Sequence, residues 1–200
     1  MHLRRWPLLA LGLLGCAHET FAPAGTAPAP GAAGHLPESA RFFPLAVGNR
    51  WTYDARYLGE RSTRKVEVVA FQDGSYVDRE GRTLRVDREG IRDQVRYLLH
   101  EPLVVGRTWT SVVAPGSAEH YRVTAAHVPC ESPAGKFPDC VEVESRTLVD
   151  PATPGMLLVN RLTFAGGVGI VRVRTALEEG TRSAPTAEQV LTAFEVAPVR

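Results

Sequence analysis

Net charge, lysine and long hydrophobic runs are scarce in this chain of 200 residues. It has 23 lysines and arginines against 22 aspartates and glutamates, and only Lys65 and Lys136 are lysines. A chain so close to neutral, with interspersed charges, lacks the basic surface of nucleic-acid-binding proteins, so we expect no nucleic-acid partner. The apolar run at residues 6–14 has about half of the roughly 20 residues that a membrane-spanning helix needs. We therefore expect no transmembrane helix there.

Cysteine is scarce as well, and the count is odd. The three cysteines are Cys16, Cys130 and Cys140. An odd count excludes a fully paired set, but it is explained if Cys16 is modified and the other two form a disulfide. A disulfide indicates an oxidising compartment outside the cytosol.

The first 16 residues have the layout of an export signal. Residues 1–5 are basic, residues 6–14 are apolar, and Gly15 is a small residue directly before Cys16. This order is typical of secretory signal peptides, which are removed from the mature protein. We therefore predict a signal peptide at residues 1–15.

The stretch LLGC at residues 13–16 resembles the lipobox of bacterial lipoproteins. The resemblance implies that Cys16 is lipidated and becomes the first residue of the mature chain, where two or more acyl chains anchor a protein firmly to a membrane. Ala17 stands where an aspartate is associated with retention in the inner membrane. We therefore expect a cell-envelope protein on the outer membrane, facing the periplasm or the cell surface. An unmodified Cys16 is the alternative.

The segment that follows is rich in alanine, proline and glycine and has no apolar periodicity. It covers residues 16–40. Such a composition cannot bury enough apolar area to offset the entropy of ordering, and its prolines favour an extended spacer. We predict a lipidated cysteine and tether at 16–40, followed by a single domain at 41–200.

The predicted domain is all-β. In WTYDARY, the residues Trp51, Tyr53, Ala55 and Tyr57 alternate with polar residues, as in a strand with one buried face. Further short alternating runs are separated by turn signals such as the two DREG segments at 78–81 and 87–90. This pattern predicts an antiparallel meander that forms a curved sheet, an open barrel or a sandwich. A final strand is favoured over a helix near residues 186–196.

Cys130 and Cys140 flank the segment ESPAGKFPD symmetrically about Gly135. In a hairpin with its tip at Gly135 they would face each other, with Cβ atoms roughly 4.5–5.5 Å apart, close to what a disulfide requires. We therefore predict a Cys130–Cys140 disulfide that stabilises the fold by about 2–3 kcal/mol. The spacing is not Cys-x-x-Cys, so no redox motif is predicted.

Three sequence blocks resemble an uncharacterised group of bacterial secreted and lipid-anchored β-domains. They are FFPLAVGNRWTY at 42–53, SPAGKFPDCVEV at 132–143 and FAGGVGIVRV at 164–173. The resemblance implies an envelope protein with a curved antiparallel sheet and no established activity. The architecture is more distantly similar to the open barrels of lipoprotein carriers.

Signals for catalysis, metals and cofactors are weak. His120 and His127 with Glu119 suggest a metal site, but seven residues of extended strand separate the two histidines by about 23 Å. The glycines at 166, 167 and 169 lack the Gly-Lys-Ser/Thr of a phosphate-binding loop, so we interpret them as turn or bulge glycines. No Gly-x-Ser-x-Gly motif occurs. We expect no metal, no cofactor and no enzymatic activity.

These observations predict a non-enzymatic, lipid-anchored envelope protein with a binding or scaffolding β-domain. Its partners would be the membrane, through Cys16, and an envelope protein or an apolar ligand. The alternative is a carrier or chaperone that holds a lipid or an acyl chain in a curved sheet. A hydrolase whose site is assembled from distant residues is a third hypothesis. An open apolar cavity of about 300 Å³ or more would favour the carrier.

Overall fold

A computed structural model describes residues 36–150 and 155–197. Over these residues the chain forms one short helix and twelve strands. The elements in chain order are α1 (Ser39–Phe42), β1 (Arg50–Tyr57), β2 (Glu60–Gln72), β3 (Ser75–Asp78), β4 (Thr83–Asp87), β5 (Gly90–Arg92), β6 (Tyr97–His100), β7 (Thr108–Ala114), β8 (Ser117–Ser132), β9 (Gly135–Leu148), β10 (Met156–Ala165), β11 (Gly169–Glu179) and β12 (Arg182–Glu195). The predicted signal peptide, Cys16 and the tether up to residue 35 lie outside the described residues.

The strands form one antiparallel sheet in the order β6-β5-β4-β3-β2-β1-β12-β11-β10-β9-β8-β7. Consecutive strands are neighbours except β6 and β7, which form the two edges, while β12 returns to pair with β1. Side chains bridge the two edges, because Trp109 Nε1 on β7 donates a hydrogen bond of 3.0 Å to the carbonyl oxygen of Tyr97 on β6. The result is a nearly closed, barrel-shaped sheet, which confirms the predicted antiparallel all-β fold.

Helix α1 closes one end of the barrel. Phe42 and Phe43 are buried there, and the amide of Gly167 donates to the carbonyl oxygen of Arg41 over 2.7 Å. Ser39 and Ala40 are buried too, although they belong to the segment predicted as a tether. The packed domain therefore begins a few residues before Arg41. Within residues 36–150 and 155–197, no helix has the length and apolar character needed to cross a membrane.

Trp51 is the central anchor of the closed end. Its side chain is 1% exposed and packs edge-to-face on Phe43, with ring centroids 5.8 Å apart. A turn before it is held by Asn49, whose Nδ2 donates to the carbonyl oxygen of Pro44 over 2.9 Å. Gly169, with a φ of 113°, allows close approach, because a Cβ there would lie 3.0 Å from Phe43 and 3.1 Å from the Trp51 indole nitrogen.

The predicted alternation in β1 is only partly right. Trp51 and Tyr53 are buried, but Tyr57 is 64% exposed. The last residues of β1 extend beyond the packed interior towards the β1–β2 turn, so the alternating pattern no longer leads to burial there. The predicted closing strand is present as β12, which pairs with both β1 and β11.

The two DREG segments form turns of the β3–β4–β5 meander, as the sequence predicts. Oδ1 of Asp78 accepts hydrogen bonds from the amides of Glu80 and Arg82, both at 2.9 Å. Oδ1 of Asp87 accepts one from the amide of Glu89 at 2.9 Å. An aspartate that accepts amides two to four residues ahead stabilises a tight turn.

The predicted Cys130–Cys140 disulfide is present, with Cα atoms 6.0 Å apart. The register predicted for it is wrong, however. The hairpin turns between Ser132 and Gly135, so Cys130 lies opposite Phe137, and irregularities in the pairing then place Cys140 opposite Val128. The disulfide therefore joins diagonal rather than directly opposite positions, because bulges shift the ladder.

Candidate functional site

The interior of the barrel contains an inner cavity of about 560 Å³. It lies between the inner faces of the long strands β1, β2, β10, β11 and β12 and the short strands β3, β4 and β6. Besides Val95 at the mouth, the apolar and aromatic residues of its wall are Phe43, Leu45, Trp51, Tyr53, Val66, Val68, Tyr76, Leu84, Leu98, Leu162, Ile170 and Val173. Cavities of about 300–1,000 Å³ with mainly apolar walls are typical of small-molecule sites.

Strand alternation builds the wall of the inner cavity. On β2, Val66 and Val68 face the cavity, while the intervening Glu67 forms an ion pair with Arg79, so its side chain lies on the outer face. Val68 is buried, whereas Val66 is only half-buried although it packs against the core. Half-burial of an inward valine indicates open space beside it rather than a filled interior.

The closed end of the cavity is apolar even where its residues carry polar atoms. Trp51 Nε1 donates to the carbonyl oxygen of Val168 over 2.7 Å, and the Tyr53 hydroxyl donates to the carbonyl oxygen of Ile170 over 3.0 Å. Burial raises the pKa of the Tyr53 phenol well above its ordinary value, so it remains a neutral donor. The polar tips are satisfied by backbone, and the rings present apolar surface to the cavity.

The mouth of the cavity lies at two turns. The solvent-exposed residues of its wall are Glu80, Gly81 and Arg82 in the β3–β4 turn and Gln94 and Val95 in the β5–β6 turn. The cavity thus runs from α1 at the closed end to these turns at the open end.

Two acids at the mouth, Asp78 and Asp93, are paired with an arginine and with backbone amides of their own turns. Asp78 Oδ2 accepts a hydrogen bond of 2.7 Å from Arg82 Nε. Asp93 Oδ1 accepts the amides of Val95 and Arg96 at 2.8 and 2.9 Å, and its Oδ2 accepts Arg96 Nε at 3.0 Å. These contacts use both oxygens of each carboxylate.

Arg96 also joins the mouth to a buried acid. Its Nη1 donates to Glu119 Oε1 over 2.7 Å, and the Tyr121 hydroxyl donates to the other oxygen of Glu119. Burial lowers the pKa of Arg96, but the hydrogen bond and charge of Glu119 and the hydrogen bond of Asp93 outweigh burial, so the arginine's pKa is raised. Burial, and then Glu119, raise the pKa of Tyr121. The cluster is a satisfied network rather than a free acid or base.

Arg64 has the longest polar contacts of the three arginines on the cavity wall. Its Nη1 lies 3.5 Å from Gln189 Oε1 and its Nη2 lies 3.5 Å from Glu80 Oε2. Both distances are long for a hydrogen bond, so neither partner holds the guanidinium firmly.

The residues singled out from the sequence do not meet at this site. Cys16 lies outside the described residues, and Cys130 and Cys140 do not line the cavity. His120 contacts Thr110 Oγ1 at 3.0 Å, whereas His127 contacts Asp139 Oδ1 at 3.1 Å. Among the residues that the structure describes, no group of three or more histidine, cysteine, aspartate or glutamate side chains is placed to hold a metal ion. The expectation that no metal or cofactor binds stays a prediction.

Sequence reasoning named an open apolar cavity only as the sign of the alternative carrier function, and it did not identify the residues of the wall or the charged mouth. The available signal was the alternation of Val66 and Val68 with charged residues on β2, which marks an inner face. It could not show that the facing strands stand too far apart to fill the interior. In the sequence, Glu119 suggests only a metal site with its neighbouring histidines, but its partner Arg96 is 23 residues away.

Comparisons with known proteins identify no matching family model and no matching curated protein. Two crystal structures align with the chain. One, described as a candidate lipoprotein from Parabacteroides distasonis, is 12% identical, has a TM-score of 0.43, and the alignment covers 77% of this chain and 98% of that chain. The other, described as a candidate exported protein with a YmcC-like fold from Bacteroides fragilis, is 12% identical, has a TM-score of 0.46, and the alignment has the same coverage.

Proposed function

We propose that this chain is a lipid-anchored cell-envelope protein whose barrel holds an apolar ligand in the inner cavity without catalysing a reaction on it. The observation that carries the proposal is the cavity itself, with about 560 Å³ of open space behind an apolar wall. This volume exceeds the lower limit of roughly 300 Å³ for small-molecule sites. A carrier therefore fits better than a scaffold, for which a packed interior would suffice.

The polar groups in and around the cavity support a binding role rather than catalysis. Asp78 and Asp93 are tied to turn amides and to Arg82 and Arg96. The phenols of Tyr53 and Tyr121 have raised pKa values and donate to fixed acceptors. General acid–base catalysis needs a group that gains and loses a proton near the working pH. The raised pKa values of Tyr53 and Tyr121 keep these two phenols protonated there.

The placement of the cavity mouth is compatible with an anchor at the N-terminal side of the barrel. The chain enters the barrel at the closed end, where the Gly167 amide donates to the Arg41 carbonyl oxygen in α1 and Phe43 lines the cavity. A tether from a lipidated Cys16 would attach at that end and leave the mouth accessible. The outer membrane is the proposed location, because Ala17 follows the cysteine in place of aspartate.

The anchor can be tested by the intact mass of the protein purified from bacterial envelopes. We expect a mature chain that begins at Cys16 and carries acyl groups, and we expect Cys16→Ser to abolish this mass and the membrane association. Because of the Cys130–Cys140 disulfide, the mass of the parent chain and that of Cys16→Ser should each be lower by two hydrogens than the mass of the reduced chain. A mature chain that begins before Cys16, or that has no acyl mass, would contradict the anchor.

The cavity can be tested with a neutral apolar fluorescent probe, N-phenyl-1-naphthylamine, bound to the Cys16→Ser chain so that no attached acyl group competes. Val66→Trp fills the cavity, so we expect it to weaken binding by about tenfold or more. Val69→Trp is the matched control, since Val69 lies on the same strand and is exposed. It should change the affinity by no more than about twofold.

Circular dichroism and thermal unfolding would show whether each variant is folded. Val66→Asn serves as a second variant, because it adds a polar group to the wall with little change in size and should also weaken probe binding. If folded Val66→Trp and Val66→Asn bind the probe as well as the parent chain does, the inner cavity is not the binding site.

A further inference from the structure

We infer that the ligand of the inner cavity is an amphiphile with an anionic head, which binds at Arg64 with its tail directed towards Trp51. This inference rests on the proposed function, because it concerns the chemical class of ligand in the same cavity.

The inner cavity changes character along its length. Its closed end is formed by Phe43, Trp51 and Val68, which are buried and apolar in the surface they present. Its polar and charged side chains are Arg64, Gln189 and Thr83 on the strands of the wall and those at the two turns of the mouth. A ligand that enters tail first matches both ends, because burying its tail is favourable and its head stays near water.

Two of the three arginines on the cavity wall are already engaged. Arg82 pairs with Asp78 at 2.6 Å and with Glu80 at 3.1 Å. Arg96 pairs with Asp93 at 3.0 Å and with the buried Glu119 at 2.7 Å. Displacing either arginine would leave a carboxylate without its cation, which is costly where the acid is buried.

Arg64 differs because its contacts are long and replaceable. Its two polar partners lie at 3.5 Å, and one of them is a neutral amide, that of Gln189. The other, Glu80, is more than half exposed and also contacts Arg82. Glu80 can therefore keep a cationic partner, or water, when Arg64 turns to another anion.

The acids near Arg64 do not exclude an anionic head. Asp78 and Asp93 are each compensated by an arginine and by backbone amides of their own turn. Glu80 is the remaining acid of the cavity wall. In the described part of the chain its carboxylate accepts no backbone amide of the turn, and its side chain is exposed to solvent. A guanidinium presents a planar pair of donors that matches a carboxylate or a phosphate, so Arg64 suits an anionic head.

The test compares ligands that share a tail and differ in the head. Dodecanoate, dodecyl phosphate, dodecanol and dodecyltrimethylammonium would displace the neutral naphthylamine probe from the Cys16→Ser chain near neutral pH. We expect dodecanoate or dodecyl phosphate to bind about tenfold tighter than dodecanol, as one charge-assisted hydrogen-bonded contact would provide, and the cation to bind most weakly. The two anions distinguish a carboxylate head from a phosphate head.

Arg64→Gln should reduce the affinity for the preferred anion about tenfold, to that of dodecanol, and leave the affinity for dodecanol within about twofold. Arg61→Gln is the matched control, because it removes the same charge from an exposed position on the same strand. It should not change the preference for anions. Arg64→Lys keeps a positive charge, so it should retain part of the preference for anions. It also keeps the test informative if Arg64→Gln does not fold.

Each outcome separates this inference from the proposed function. If dodecanol binds and neither anion is preferred, or if Arg61→Gln abolishes the preference as Arg64→Gln does, the inference is wrong while a cavity for apolar ligands remains supported. If none of the amphiphiles displaces the probe, or if the probe itself does not bind, the proposed function fails, and the inference fails with it.

Discussion

Trp51→Ala should lower the free energy of unfolding by about 3–5 kcal/mol, the range for removing a buried aromatic side chain. The indole is 1% exposed and packs between Phe43 and the turn that precedes β11. Its truncation would also leave the carbonyl oxygen of Val168 without the indole donor at 2.7 Å. An unsatisfied buried acceptor adds to the cost of the lost packing.

Urea unfolding monitored by circular dichroism would measure the effect of Trp51→Ala. Trp51→Phe is the matched control, because it keeps a ring in the core and loses mainly the hydrogen bond, so it should cost less than the alanine variant. Trp109→Ala is a second control, since Trp109 is only half-buried and stacks on Tyr121 near the sheet edge. A loss below about 1 kcal/mol for Trp51→Ala would show that Trp51 is not the anchor of the closed end.

Replacing Cys130 and Cys140 together with serine should lower the free energy of unfolding by about 2–3 kcal/mol. The disulfide closes a loop with a sequence separation of 10 residues, which restricts the unfolded chain. It also holds the hairpin that carries Asp139, whose carboxylate pairs with Arg41 and whose carbonyl oxygen accepts the amide of Gly166 at 2.9 Å. Loosening this hairpin therefore weakens the attachment of α1 as well.

Chemical denaturation with and without a thiol reductant would measure the contribution of the disulfide. Reductant should bring the parent chain to the stability of the double-serine variant, and it should leave that variant unchanged. Equal stability of the reduced and oxidised parent chain would contradict the expected contribution. A reductant effect on the double variant would show that the change arises elsewhere.

Local patterns predicted the strands and turns correctly where neighbouring residues decide the structure. The DREG aspartates accept amides within four residues, so their turns can be read from a short window. The two-residue period of Val190 and Thr192 predicts a closing strand near residues 186–196, and β12 covers this segment up to Glu195, although its buried residue is Leu191. In each case the cause lies within a few positions of the chain.

Register could not be predicted from such windows. The β8–β9 ladder shifts at three places between Val123 and Cys130, so the symmetric spacing of the two cysteines about Gly135 predicted the correct disulfide from an incorrect alignment. Bulges depend on how the two strands fit the curved barrel rather than on either strand alone. Tyr57 illustrates the same limit, since its alternation is regular but the packed interior ends before it.

The sequence by itself determined the strand pattern and the turn positions, because alternation and turn chemistry depend on neighbouring residues. It also determined the pairing of Cys130 with Cys140, because these are the two cysteines that remain once Cys16 is assigned to the anchor. Export and the lipidation of Cys16 are predicted from the sequence alone, because residues 1–16 lie outside the described part of the chain. Only the tertiary structure decided that the barrel leaves an open interior, that Arg96 neutralises Glu119, and that Arg64 lacks a firm partner. The physical reason is that a cavity and its free charge depend on the distances between strands far apart in sequence, which no local pattern specifies.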